Sequence, residues 1–166
     1  MKKTLFFLSL IYFFSFFSSY VISSEISVVD INYLLKNSNK GKSIQNEIDK
    51  LNSASLKKFK TKKKTLEDKE KKIASKKNVL SKEDFNKEVL QFRKEVEKYE
   101  IERRKSSQEI TNIRINRIAK LVDEINKILV KYSSENSISS IIDKKNVLIT
   151  KQENDITQKI LKALNK

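Results

Sequence analysis

The chain has 166 residues, enough for one domain, and a net charge of +15 from 36 Lys and Arg against 21 Asp and Glu. It contains no Cys, His, Pro or Trp, and its one glycine is Gly41. The lack of Cys and His excludes disulfides, most zinc sites and the common catalytic triads. Nothing arranges the remaining carboxylates, lysines and tyrosines as a catalytic centre, so we expect no enzyme, no metal and no cofactor.

The first residues have the three-part form of a secretory signal peptide. Two lysines precede an apolar run from Leu5 to Phe17, and the serine-rich stretch that follows offers cleavage after Ser23 or Ser24. The run is too short to span a bilayer comfortably, although an uncleaved membrane anchor is the alternative. We assign residues 1–23 to a signal peptide and expect an exported protein in the periplasm.

Residues 24–41 are predicted to begin a small α/β body. The β-branched segment from Ile26 to Asp30 indicates a short strand. Asp30 or Asn32 would then cap a short helical turn, and residues 37–41 would end it. We expect the first long helix to begin between Gly41 and Ser43, with Ser43 as its N-cap.

Residues 42–132 form a long amphipathic stretch without proline that predicts two helices folded back on each other, with a tip near residues 78–82. The second helix has apolar side chains in alternating steps of four and three, with Arg103 and Ser106 in two of the positions, and this spacing marks a seam for another helix. The apolar residues are Phe85, Val89, Phe92, Val96, Tyr99, Ile110 and Ile113. On the first helix only one seam position is strongly apolar, every seventh residue: Phe59, Leu66, Ile73 and Leu80. Ser81 and Asp84 resemble a capping box at the start of the second helix. One uninterrupted helix is the alternative, but each seam needs a partner within reach.

The base of the second helix and residues 133–166 complete the predicted body. The apolar stripe widens between Ile115 and Tyr132, and two short strands are predicted at 138–142 and 146–149, followed by a helix at 156–164. About 55 residues make a marginal core, which favours oligomerisation. The predicted core and oligomer contacts are Ile26, Val28, Val29, Ile118, Val122, Ile125, Leu129, Ile141, Ile142, Val147 and Leu148.

These features together resemble the Skp/OmpH family of periplasmic chaperones over essentially the whole mature chain. The segments that carry the resemblance are the exported start, the strand at Ile26–Asp30, the tip at Leu80–Asp84, and the closing runs Ile141–Val147, Asp155–Thr157 and Leu161–Asn165. The resemblance implies a mostly α fold, in which a long antiparallel helical hairpin, a coiled-coil arm, projects from a small β-containing trimerisation body. It also implies a homotrimer that binds unfolded outer-membrane proteins without ATP and delivers them for assembly.

The lysines of the first helix suggest how such clients would be held. Eleven lysines lie between Lys57 and Lys77 against three acidic residues, and they indicate either an ordinary solvated face or an attractive surface for acidic clients. The predicted client contacts are Lys57, Phe59, Lys62, Lys63, Lys64, Leu66, Ile73, Lys76, Lys77, Phe85 and Phe92. An anionic lipid or lipopolysaccharide surface is a further candidate partner.

Two other classes of function remain open at the level of sequence. A structural coiled coil at the cell-envelope surface would have the same helices but would bind no client. A nucleic-acid-binding protein would fit the basic charge, but the signal peptide and the lack of an Arg-rich or aromatic recognition surface argue against nucleic acid as a partner.

Overall fold

The computed structural model describes residues 25–166, so the predicted signal peptide lies outside the described residues. In chain order the elements are β1 (Glu25–Val29), α1 (Ile31–Asn37), α2 (Asn39–Ser75), α3 (Lys82–Glu135), β2 (Ile138–Asp143) and α4 (Thr157–Leu164). Two short 3-10 turns, Lys144–Asn146 and Gln152–Asn154, lie between β2 and α4. The predicted fold class is confirmed: a long helical hairpin rises from a small β-containing body. Within the described residues, no helix has the length and apolar character needed to cross a membrane.

The hairpin reverses direction in the six residues between α2 and α3. The Ser81 hydroxyl accepts a hydrogen bond from the Asp84 backbone N–H at 3.1 Å and donates one to the Asp84 carboxylate at 2.7 Å. Ser81 therefore caps α3 as the sequence predicts, because its oxygen satisfies one of the first free N–H groups of the helix. The alternative of one uninterrupted helix is wrong.

The junction between α1 and α2 differs from the prediction. Ser38 is the only residue between the two helices, and its backbone is extended with ψ 153°. Its hydroxyl accepts a hydrogen bond from the Gly41 N–H at 3.0 Å, so α2 begins at Asn39 and Ser43 lies inside the helix. Gly41 allows this sharp junction, since a Cβ built there would lie 1.8 Å from the carbonyl oxygen of Leu35.

The sheet of the body has two parallel strands in the described residues. β1 pairs with β2 along one edge, and the Ile156 N–H donates to the Val28 carbonyl at 2.9 Å along the other edge. The predicted strand at 146–149 is wrong. Asp143 accepts a hydrogen bond from the Lys145 N–H, which turns the chain into a 3-10 helix, and residues 147–151 have no regular structure.

The core lies where the base of the hairpin meets β1 and α4. Its buried residues are Val29, Leu34, Leu121, Ile125, Ile156, Ile160 and Leu164. Three of them come from the segment 156–164, whose apolar face closes the space between α1 and α3. The sequence predicts this helix, but none of its residues is among the predicted core contacts. Its share of the core leaves fewer core positions for the sheet.

Several residues predicted for the body core lie elsewhere in this chain. Val28, Val29 and Ile125 are buried, and a second group is half-buried: Val122, Leu129, Ile141 and Val147. Leu148 is fully exposed, and three others are exposed by 37–49%: Ile26, Ile118 and Ile142. These four are therefore not core residues of the single chain. Leu148 is exposed because the segment that carries it forms no strand. Ile26 and Ile142 line one open cleft of the body, and Ile118 lines another, between α3 and the junction of α1 and α2.

Candidate functional site

The hairpin arm, which we define as residues 42–132, is closed along its length by an apolar seam. Phe59 of α2 and Tyr99 of α3 meet edge to face, with ring centroids 5.8 Å apart and planes at 71°. Phe59 and Ile73 are only 5% and 7% exposed, so α3 covers them. Nearer the body, the Ser55 and Ser106 hydroxyls are hydrogen-bonded at 2.9 Å across the same seam.

A row of ion pairs runs beside the seam in the outer half of the arm. Lys69 reaches both carboxylate oxygens of Glu95 at 2.6 and 2.7 Å. Lys76 pairs with Glu88 at 2.7 Å, and Lys62 pairs with Glu102. Each step of seven residues along α2 is matched by a step of seven back along α3, so the three pairs hold one antiparallel register. We call Lys62, Lys69 and Lys76 the inner lysine row.

The same register continues toward the body. Arg117 donates two hydrogen bonds to the Glu47 carboxylate, at 3.0 and 3.2 Å, and Lys40 pairs with Glu124. The charges of the Glu47–Arg117 pair are reversed relative to the outer pairs, because here α2 supplies the carboxylate. This alternation opposes any slip of the two helices by seven residues, which would bring like charges together.

The ion pairs shift the pKa values of several groups. The hydrogen bond from Lys69 lowers the pKa of Glu95 below its ordinary value, and the hydrogen bond from Lys62 does the same for Glu102. The hydrogen bond to Glu47 raises the pKa of Arg117. Glu95 and Glu102 therefore keep their negative charge to a lower pH than an unpaired glutamate does.

The predicted client contacts fall into groups that differ in their exposure. Phe59 and Ile73 are buried in the seam, and Lys62 and Lys76 are held by glutamates of α3. Leu66, Phe85 and Phe92 are half-buried along the same seam. Lys57, Lys63, Lys64 and Lys77 are exposed and are not held by α3, although Lys63 lies 3.6 Å from Glu67 of its own helix.

A second row of lysines faces away from α3. It consists of Lys50, Lys57, Lys64 and Lys71, again seven residues apart, and we call it the outer lysine row. All four side chains are exposed and make no ion pair within residues 25–166. At 1.5 Å per residue, their charges recur about every 10 Å along the arm. The row therefore forms a line of exposed positive charge along α2.

Four isolated apolar side chains are exposed on the arm, which the sequence alone did not predict. Leu56 is 73% exposed, Leu90 57% and Ile101 49%, and Val79 at the tip is 81% exposed. They could have been recognised because they fall outside the period that defines the seam. They lie singly among charged residues, so the arm offers scattered apolar contacts rather than a pocket.

The body carries an exposed apolar surface of its own. It includes Ile26 and Ile142 on the sheet and Leu148 and Ile149 beyond it, the last two more than 90% exposed. β2 has β1 as its one neighbour in the described sheet, so its outer edge presents unpaired backbone groups. No cluster of metal-ligating side chains occurs in the part of the chain that the structure describes.

This geometry defines a class of protein: a basic helical hairpin on a small body that leaves apolar surface exposed. The family model described as outer membrane protein (OmpH-like) matches residues 25–164. The chain therefore belongs to the OmpH-like family, and the resemblance found in the sequence is confirmed.

A solved structure shares this fold. It comes from Caulobacter crescentus CB15 and is described as a candidate outer membrane chaperone (OmpH-like). The two chains align with a TM-score of 0.80 at 13% identity, and the alignment covers 84% of this chain and 83% of the other. At this identity the likeness concerns the fold. Among curated proteins, none matches the chain.

Proposed function

We propose that this protein is an ATP-independent holdase chaperone of the periplasm, which binds unfolded outer-membrane proteins and delivers them for membrane assembly. The observation that carries the proposal is membership of the OmpH-like family over residues 25–164, in a chain whose arm offers exposed lysines and single apolar side chains. The chaperone description of the Caulobacter protein supports it, and so does the signal-like start of the sequence.

The physical mechanism follows from the two kinds of exposed side chain. The outer lysine row attracts an acidic unfolded chain over a distance, which raises the rate of encounter. Leu56, Leu90 and Ile101 then make weak apolar contacts that need no fixed register. Many weak contacts on several arms add up to firm binding while each one breaks easily, which suits a protein that must release its client.

We further propose that the working form is a homotrimer joined through the body. The exposed residues Ile142, Leu148 and Ile149 and the open edge of β2 support an interface there, since a lone chain would leave them in water. Three arms around a shared space would then surround one client. An anionic lipid or lipopolysaccharide surface is a further partner that the outer lysine row suits.

The proposal is tested with the mature chain and a urea-unfolded acidic β-barrel protein of an outer membrane. On dilution of the urea, light scattering by the barrel protein should fall when the mature chain is present, without ATP. Native mass measurement should give a trimer alone and a trimer with one client. Undiminished scattering would contradict the holdase proposal and favour a structural coiled coil, and a stable monomer would contradict the trimer.

A matched pair of variants tests the outer lysine row. The triple variant Lys57→Glu, Lys64→Glu and Lys71→Glu should slow client capture at low salt by about tenfold, since steering of this kind accelerates association by at least that factor. The control Lys159→Glu, Lys162→Glu and Lys166→Glu changes the net charge equally on exposed positions in and after α4. Equal slowing in both variants would show that net charge alone matters.

A further inference from the structure

The inner lysine row occupies a position that coiled coils normally fill with apolar side chains. Along α2 the residues that face α3 alternate in steps of three and four. One series is apolar, Phe59, Leu66 and Ile73; the other is the inner lysine row. Polar residues at such positions fix the register of two helices at a cost in stability. In the outer half of the arm, every second seam position of α2 is therefore a lysine, whereas α3 keeps apolar residues such as Val89 and Val96 at both sets of positions.

The ion pairs that close these layers are accessible to water. The three lysine side chains are 40–48% exposed and their glutamate partners 32–34%. Pairs with this exposure are weak and are screened by salt. The other charges near Glu102 are cations, Lys98 and Lys58. On its α2 side, the outer half is thus held by one apolar seam residue in every seven and by solvated pairs.

The base of the arm is closed differently. Ile48, Leu121 and Ile125 are at most 3% exposed, and α1 and α4 pack around this end of the hairpin. The turn at the tip has no such support, and Val79 within it is exposed. Separation of α2 from α3 should therefore begin at the tip and stop near the Ser55–Ser106 hydrogen bond.

We propose that the outer half of the arm is an ionic zipper. It opens from the tip when salt or the carboxylates of an acidic client replace the three Lys–Glu pairs, and the seam thus uncovered binds apolar side chains of that client. Opening frees the inner lysine row beside Phe59, Leu66 and Ile73, so cations and apolar side chains alternate on one helix face. An acidic unfolded chain with regularly spaced apolar residues complements that face. The binding half of this proposal rests on the proposed function.

Opening can be measured directly, because the chain has no Cys and labels can be placed at will. One pair of spin labels is attached near the tip, at Lys71→Cys and Gln91→Cys. A control pair with the same offset between the helices is attached at the base, at Lys42→Cys and Lys120→Cys. All four positions are exposed.

Raising salt from about 0.1 M to about 1 M, which shortens the screening length from about 10 Å to about 3 Å, should lengthen the mean tip distance by about 10 Å, the width of a helix. The base distance should stay the same. An unchanged tip distance, or equal changes at tip and base, would overturn the zipper.

Charge reversal tests the pairs themselves. The variant Glu88→Lys, Glu95→Lys and Glu102→Lys should show the long tip distance already at low salt. Adding Lys62→Glu, Lys69→Glu and Lys76→Glu restores every pair with its charges exchanged and should close the tip again. If the sixfold variant stays open although its helix content by circular dichroism is unchanged, the pairs do not close the arm.

We call the seam face that opening uncovers the latent client site. It is tested by locking the seam closed. In the antiparallel register, Ile73 lies opposite Phe85 as Phe59 lies opposite Tyr99. A disulfide between Ile73→Cys and Phe85→Cys would therefore cross the seam near the tip. The oxidised form should bind the unfolded barrel protein about tenfold more weakly than the reduced form of the same variant, because the lock removes one set of additive contacts. Equal binding by both forms would overturn the latent site and leave the proposed function standing. If neither form nor the unmodified chain binds the client, the proposed function and the latent site both fail, and the tip distances decide the zipper separately.

Discussion

Phe59 of α2 packs edge to face on Tyr99 of α3, with ring centroids 5.8 Å apart. Phe59 is the most deeply buried side chain in the outer part of the arm, at 5% exposed. Phe59→Ala should therefore lower the free energy of unfolding by about 3 kcal/mol, from the lost apolar burial and the cavity left behind. Urea unfolding followed by circular dichroism measures this loss. Leu56→Ala, three residues away and 73% exposed, is the control and should change stability by less than about 0.5 kcal/mol.

Gly41 is predicted to tolerate no side chain. A Cβ at this position would lie 1.8 Å from the Leu35 carbonyl oxygen, so α1 and α2 would have to move apart. We expect Gly41→Ala to cost about 2 kcal/mol, even though alanine favours helices over glycine by up to about 1 kcal/mol. A stabilised Gly41→Ala variant in thermal unfolding would show that the junction is looser than the structure indicates.

Ser38, rather than Ser43, is predicted to control the start of α2. The buried Ser38 hydroxyl accepts a hydrogen bond from the Gly41 N–H, and Ser38→Ala should cost about 1 kcal/mol in unfolding free energy. Ser43 lies exposed inside the helix, so Ser43→Ala should be neutral or slightly stabilising. If Ser43→Ala lowers the unfolding free energy more than Ser38→Ala does, Ser43 is the N-cap, as the sequence alone suggested.

The arm was largely predictable from sequence, and so were β1, β2 and α4 of the body, but the way these body elements pack together was not, for a physical reason. The 3.5-residue period of residues such as Phe85, Phe92 and Tyr99 defines a two-helix seam whatever the rest of the chain does. The body depends on contacts between distant segments. Asn165 accepts a hydrogen bond from the Asn39 N–H at 2.8 Å, and Thr157 accepts one from the Asp30 N–H at 2.9 Å. No local sequence pattern predicts such pairs.

The lysines of α2 are an example within the arm of what the sequence alone does not predict. Their number is plain in the sequence, but their division into an inner and an outer row depends on the register of α3. Lys62 and Lys64 are two residues apart, yet one pairs with Glu102 and the other faces water. Burial of Phe59 and Ile73 in the closed arm follows from that register as well.

The contact between Lys144 and Asp155 should make the body sensitive to acid. Partial burial acts to raise the pKa of Asp155, but hydrogen bonds from Lys144, at 2.6 Å, and from Thr157 lower it below its ordinary value of 3.8. The Asp155 contribution to stability is therefore present above that value and is lost as pH falls through the lower pKa of the folded state. Unfolding measured from pH 5 downward should show a smaller decline in Asp155→Asn than in the unmodified chain.

The control for this acid effect is Glu153→Gln, because the Glu153 side chain is 72% exposed. This variant should follow the same pH curve as the unmodified chain. Asparagine at 155 keeps an oxygen that can accept the Thr157 N–H, so the comparison isolates the charge. Parallel pH curves for Asp155→Asn and the unmodified chain would contradict the assignment.

Ser27 of β1 is predicted to contribute nothing through its hydroxyl. The residue is 1% exposed, and its Oγ has no hydrogen-bond partner in the described residues. A buried hydroxyl without a partner carries a desolvation cost, and removing it relieves that cost. Ser27→Ala should therefore leave the unfolding free energy unchanged or raise it by up to about 1 kcal/mol. Ser38 is a matched comparison, equally buried but hydrogen-bonded, and its alanine variant should move stability in the opposite direction. If Ser27→Ala destabilises the protein as much as Ser38→Ala does, the Ser27 hydroxyl has a partner in the working assembly, and the interface between subunits would be the place to look for it.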